Sequence, residues 1–186
     1  MITEINYFSD IPFLDNKKTL VICDIDDTLL YFDKHLDYFY YFIKENMINL
    51  DENNIISEAI RLNNLYLNTN YAKPTDYYGF NKMMNNENIK IIFLTARHEN
   101  SINFTKKNFF HVGLNYDDFI VYYTNFETSK INKGDYLLMN LFDFSYYEDI
   151  VFIDDSDFCL ESVSRLFPNI RCYKYIRKYE NNLFIL

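Results

Sequence analysis

The chain has no tryptophan and only three glycines, three prolines and three cysteines in 186 residues. With so few glycines, tight turns must use Asn and Asp, which tolerate left-handed backbone. Cys23, Cys159 and Cys172 are odd in number and lack CxxC spacing, which argues against a disulfide framework and for buried thiols in a reducing compartment. No apolar run approaches the ~18 residues of a membrane span. The opening stretch, MITEINYFSDIPFLDNKK, is too acidic and too interrupted for a secretory signal, so a cytoplasmic location is expected. Positive charge is scarce as well. Eighteen Lys and Arg against 27 Asp and Glu give a formal net charge of −9, which disfavours non-specific binding to nucleic acid or anionic membrane while leaving room for a local basic cleft.

What is abundant is apolar and aromatic. Hydrophobic residues make up 49% of the chain and aromatics 19%, enough for a real core. The length suits one domain with a small insertion. Five short β-branched and aromatic runs stand out: Thr19–Ile25, Ile89–Thr95, Phe119–Tyr123, Asp149–Asp154 and Ile170–Tyr175. Most lack in/out alternation, which predicts strands covered on both faces, as in a parallel sheet wrapped by helices. Helical patterns over Asn100–Phe110, Lys133–Leu141 and Phe158–Phe167 separate the later runs. The expected fold is therefore α/β, a doubly wound parallel sheet of at least five strands.

Residues 29 to 88 are too many for one crossover, which needs little more than ~12. Leu36–Met47 and Asn54–Leu67 are read as a small helical cap and Asp76–Asn85 as the crossover helix, with Lys73-Pro74 closing the insertion. The expected organisation is a single domain over 1–186. Its core covers about 17–32 and 72–186, and its cap about 33–71.

Three strands end in polar chemistry. Val21-Ile22-Cys23-Asp24-Ile25-Asp26-Asp27-Thr28-Leu29-Leu30 runs an apolar strand straight into three carboxylates. Carboxyl ends of parallel strands face the ligand crevice, so Asp24 and Asp26 are expected to project there. Clustered like charges repel and raise one another's pKa, so such a group calls for a cation or serves as a base. An EF-hand is excluded, because Thr28 falls where further ligands and the loop glycine belong. Ile91-Ile92-Phe93-Leu94-Thr95-Ala96-Arg97 ends its strand in a hydroxyl, which taken alone reads as a helix cap. Ile150-Val151-Phe152-Ile153-Asp154-Asp155 again ends in adjacent acids.

DIDDTLL, LTAR, a lysine opening a helix, and FIDD in that order resemble the haloacid dehalogenase (HAD) superfamily over roughly Val21 to Tyr175. The resemblance implies a Mg²⁺-dependent phosphatase or phosphotransferase acting on a phosphomonoester. Asp24 would be the nucleophile that becomes an aspartyl phosphate, and Asp26 the general acid and base. It also implies Thr95 and Lys133 as ligands of the phosphoryl group. Metal ligation would fall to Asp24, the Asp26 backbone carbonyl and Asp154, with Asp155 direct or through water. Lys133 lies 21 residues ahead of Asp154 and fits the family's lysine by position, with Lys130 in reserve. Thr28 would hold the turn. Arg97 is left between touching substrate phosphate and pairing with a carboxylate at the surface. His98 is expected to be solvated, and Asp27 exposed and without a role.

The cap is short for a lid that seals the site, and its aromatic residues fit packing as readily as ring stacking. A small phosphorylated substrate is expected and nucleic acid is not; oligomeric state is open. A HAD fold that binds or regulates without turnover is the rival reading. A receiver-like domain fits poorly, since it lacks the DxDxT signature.

Overall fold

A computed structural model describes residues 1–13, 16–47, 50–140 and 144–177. In chain order the strands are β1 (Ile2–Ile5), β2 (Thr19–Cys23), β3 (Leu30–Tyr31), β4 (Lys73–Pro74), β5 (Ile89–Thr95), β6 (Ile120–Tyr123), β7 (Asp149–Asp154) and β8 (Arg171–Tyr175). The helices are α1 (Leu36–Asn46), α2 (Glu52–Thr69), α3 (Tyr77–Met84), α4 (Ile102–His111), α5 (Phe126–Ser129), α6 (Lys133–Met139) and α7 (Asp157–Leu166). Residue 141, the predicted end of the helix opened by Lys133, lies outside the described residues.

Six strands form one parallel sheet in the order β1-β8-β7-β2-β5-β6. The absence of alternation in the sequence has a direct cause. Val21, Cys23, Ile91, Phe93, Val151 and Ile153 pack on one face against Phe80, Met83 and Phe109 of α3 and α4. Their neighbours Leu20, Ile22, Ile92, Leu94 and Phe152 pack on the other against Leu137, Leu160 and Val163 of α6 and α7. Successive side chains point to opposite faces of a strand, and here both faces are core.

β1 is an additional strand, absent from the predicted runs. It is an edge strand that pairs only with β8 and buries only Ile5, so it leaves almost no apolar signal. The first predicted strand also ends early, at Cys23 rather than Ile25. Beyond it the Ile25 carbonyl accepts from the N–H groups of Leu29 and Leu30, at 3.0 and 2.8 Å, and the chain turns tightly through the three acids. Asp27 has φ 58° in that turn, and Asn16 and Asn125 are also left-handed, the substitution of Asn and Asp for glycine that the composition requires. Lys130, with φ 57°, shares that conformation.

Between β2 and α3 the chain leaves the sheet. β3 and β4 pair antiparallel, Leu30 with Pro74 and Tyr31 with Lys73, so the two ends of the excursion lie side by side. The sequence placed Lys73-Pro74 at the close of this segment, and the structure adds the pairing. Within it α1 and α2 pack on each other through Phe39, Ile43, Ile55 and Ala59. Asp51 caps α2 by accepting from the Asn54 N–H at 2.9 Å. Phe32 stacks on Phe104 of α4 at 6.0 Å and meets Tyr66 of α2 edge-on at 6.3 Å, which fastens the helix pair to the body. Among the described residues no helix is long and apolar enough to cross a membrane.

Candidate active site

β2 lies between β5 and β7, so the carboxyl ends of three neighbouring strands open on one spot. Cys23 is in register with Phe93 and with Ile153, and the Asp24 N–H continues the ladder to the Ile153 carbonyl at 2.9 Å. Asp24, Thr95 and Asp154 thereby come together, all buried.

Lys133 completes the group. Its Nζ donates to Asp24 and, at 2.6 Å, to Asp154 Oδ2. A cation in the first turn of a helix opposes the helix dipole, so Lys133 is poorly placed for helix stability and well placed for anions. Burial disfavours its ammonium, but the Asp154 and Asp24 charges outweigh that and hold it protonated. Lys130, the reserve candidate, is exposed and lies 5.9 Å above the Phe126 ring instead.

The helix carrying Lys133 is set by a close crossing. A Cβ on Gly134 would come within 2.6 Å of the Ser162 carbonyl group on α7, and the Gly134 N–H donates to Ser162 Oγ at 3.1 Å. Backbone cannot yield as a side-chain tip does. Gly134→Ala is expected to cost about 1–3 kcal/mol, read by chemical denaturation, because α6 must shift together with its lysine.

Carboxylate oxygens of Asp24, Asp154 and Asp155 lie within 4.8 Å of one another. Asp154 Oδ1 accepts from the Ser156 N–H at 2.9 Å, and Thr28 Oγ1 donates to Asp155 Oδ1 at 3.5 Å, tying the first acidic turn to the fourth strand. Burial pushes the Asp24 carboxyl well above the usual carboxylate range, opposed by Lys133 and reinforced by Asp154 and Asp26. Burial, then the Asp154 and Asp27 charges, push Asp155 up to about 6. Three carboxylates share one ammonium. That imbalance, in an all-oxygen donor set, fits a hard divalent cation such as Mg²⁺.

The Asp155 shift has a testable sign. The penalty for ionising it in the folded, metal-free protein is absent below the unfolded value of about 3.9 and complete above about 6. Asp155→Asn is therefore expected to raise the melting temperature of the metal-free protein at pH 8 and not at pH 4. Equal effects at both pH values in a thermal-shift assay would refute the assignment.

Asp26 points elsewhere. Arg97 holds it bidentately, Nε to Oδ2 at 2.8 Å and Nη2 to Oδ1 at 2.7 Å. Partial burial opposes ionisation of Asp26, yet the guanidinium outweighs it and keeps the carboxyl below its usual range. Arg97 does pair with a carboxylate, but not at the surface as the sequence suggested: its side chain is only 9% exposed. Thr95 Oγ1 accepts the Arg97 N–H at 3.2 Å. Asp27 corrects an expectation: it is half-buried, accepts from Arg177 Nη1 at 2.9 Å and lies 3.6 Å from His35 Nε2. His98 is partly exposed, its Nδ1 accepting from the Asn100 N–H at 3.1 Å.

The HAD domain of the effector protein Lem4 from Legionella pneumophila superposes on this chain with a TM-score of 0.50, covering 90% of this chain and 89% of that one at 13% identity. The chain has the haloacid dehalogenase fold. Weaker likenesses are the Legionella pneumophila effector Ceg4, with a TM-score of 0.47 at 11% identity over 92% of both chains, and the class C acid phosphatase from Bacillus anthracis, with 0.44 at 14% identity over 88% of this chain and 69% of that one. No protein-family model and no curated protein matches the sequence.

In this haloacid dehalogenase fold, the acidic turn after β2 borders, through Asp26 and Asp27, a cavity of about 820 Å³ between the helix pair and the body. Asp26 and Arg97 line it, with Lys34, His35 and His98 from separate stretches of chain. The sequence carried no signal for Lys34 or His35, because only the folded insertion brings them beside the acidic turn.

Proposed function

We propose that the chain is a Mg²⁺-dependent phosphatase or phosphotransferase acting on a phosphomonoester through an aspartyl phosphate on Asp24. The observation that carries this is the meeting of Asp24, Asp154, Asp155 and Lys133 at the ends of the central strands. In this reading an Asp24 oxygen attacks phosphorus in line as the bond to the ester oxygen breaks. Asp26 delivers a proton to the departing oxygen, then accepts one from the water that cleaves the acyl phosphate. Lys133, the Thr95 hydroxyl and nearby backbone N–H groups stabilise the phosphoryl oxygens. Asp24, the Asp26 carbonyl and Asp154 hold the metal, with Asp155 beside them. Mg²⁺, when bound, supplies positive charge to the transferring phosphoryl group.

The α1–α2 pair serves as the cap, and its cavity takes the rest of a small substrate. The net charge of −9 weighs against nucleic acid, and three free thiols fit a reducing, cytoplasmic setting. Release of phosphate from p-nitrophenyl phosphate, followed with Mg²⁺ and with EDTA, tests the reading. Turnover should depend on the metal. Inertness across a panel of phosphomonoesters with Mg²⁺ present would leave a binding module that lacks turnover.

A further inference from the structure

The proton-transfer role proposed for Asp26 meets an obstacle in the geometry. Both of its carboxylate oxygens accept from the Arg97 fork, at 2.8 and 2.7 Å, which fixes the group's orientation and holds it as a carboxylate with no proton to give a departing oxygen. The two partners are anchored unequally. Arg97 is only 9% exposed, and Asp26, in its turn, is 48% exposed. The guanidinium keeps other holds: Nη1 donates to Thr105 Oγ1 at 3.0 Å, and its carbon lies 5.0 Å from the centre of the Phe104 ring. If the pair opens, Asp26 is the member that moves.

The cavity on which the pair opens gathers basic side chains. Among the described residues that line it, the acidic one besides Asp26 is Asp27, already held by Arg177 and faced by His35. Against these stand Lys34, His35, Arg97 and His98, in a chain of formal charge −9. A leaving group lodged there meets cationic and imidazole groups and a guanidinium whose present occupant is itself a carboxylate. Planar bidentate recognition makes one carboxylate a fair replacement for another.

We infer that Arg97 determines specificity by exchange: favoured substrates are phosphomonoesters with a carboxylate on the carbon that bears the ester oxygen, and that carboxylate displaces Asp26 from the Arg97 fork. The freed Asp26 carboxylate, reachable by solvent, takes up a proton there and delivers it to the ester oxygen as the phosphorus–oxygen bond breaks. A substrate without the second anion leaves Asp26 engaged and turns over slowly. The inference rests on the phosphatase reading and gives it a substrate class.

The test compares 2-phosphoglycerate with glycerol 2-phosphate, both esters of a secondary alcohol, one with a carboxylate and one with a hydroxymethyl group. Wild-type protein with Mg²⁺ is expected to favour 2-phosphoglycerate about tenfold or more, with the gain in kcat as well as in KM. Arg97→Met should bring the two esters to parity, and Arg97→Lys, which keeps the charge but not the fork, should retain only part of the preference. Circular dichroism of both variants separates this from misfolding. Equal kcat values for the two esters in wild type overturn the exchange, as does a preference that survives Arg97→Met. No phosphate release from either ester or from an aryl phosphate is a failure of the phosphatase reading instead. The carboxylate site is then decided by calorimetry on Asp24→Asn protein with Mg²⁺. There 2-phosphoglycerate should bind more tightly than glycerol 2-phosphate, and the difference should vanish with Arg97→Met; equal affinities overturn it.

Discussion

Lys133→Met is expected to destabilise the metal-free protein by about 3–5 kcal/mol, the cost of leaving buried charge without its partner. The Lys133 side chain is 3% exposed and the Asp24 and Asp154 side chains 6% and 1%, so neither carboxylate can turn to water once the ammonium is gone. Methionine keeps most of the volume, which confines the loss to electrostatics. Part of it should return on adding Mg²⁺, since a bound cation replaces some of the missing charge. Urea titrations with and without metal measure both effects. A loss below ~1 kcal/mol, the size of an exposed pair, would mean that the three groups do not interact as described.

Asp24→Asn is expected to abolish turnover, by about four orders of magnitude or more, as loss of a covalent nucleophile does elsewhere. The protein should not lose stability with it. Asn is nearly isosteric, removes one of three clustered carboxylates, leaves Lys133 its partner Asp154, and still accepts from Lys133 through its oxygen. An inactive but well-folded variant is therefore the signature sought, with release of p-nitrophenol as the readout. Activity within tenfold of wild type in a clean preparation would remove Asp24 from the mechanism.

Where chemistry and core share a strand, the sequence was informative. β2, β5 and β7 are buried on both faces toward their carboxyl ends, so Leu20–Cys23, Ile91–Leu94 and Ile150–Ile153 are unbroken apolar runs, each followed by a polar residue. Legibility fell off with distance along the chain and with exposure. β1 is an edge strand with one buried side chain, and β3 and β4 have two residues each, too short for any periodicity. The fork between Arg97 and Asp26 joins residues 71 apart, and the single hydrogen bond between Arg177 and Asp27 joins residues 150 apart. Nothing local distinguishes such an arginine from one that faces solvent, so Arg97 stayed undecided and Asp27 was expected to be free.

The paired residues Leu30–Tyr31 and Lys73–Pro74 set how this protein can diversify. A segment whose two ends emerge next to each other can grow, shrink or be exchanged at little entropic cost, since loop closure depends only weakly on length. The strand bearing Asp24 would not register the change. New specificities can accordingly arise by rewriting residues 33 to 71, while the acids and the lysine stay where the sheet puts them.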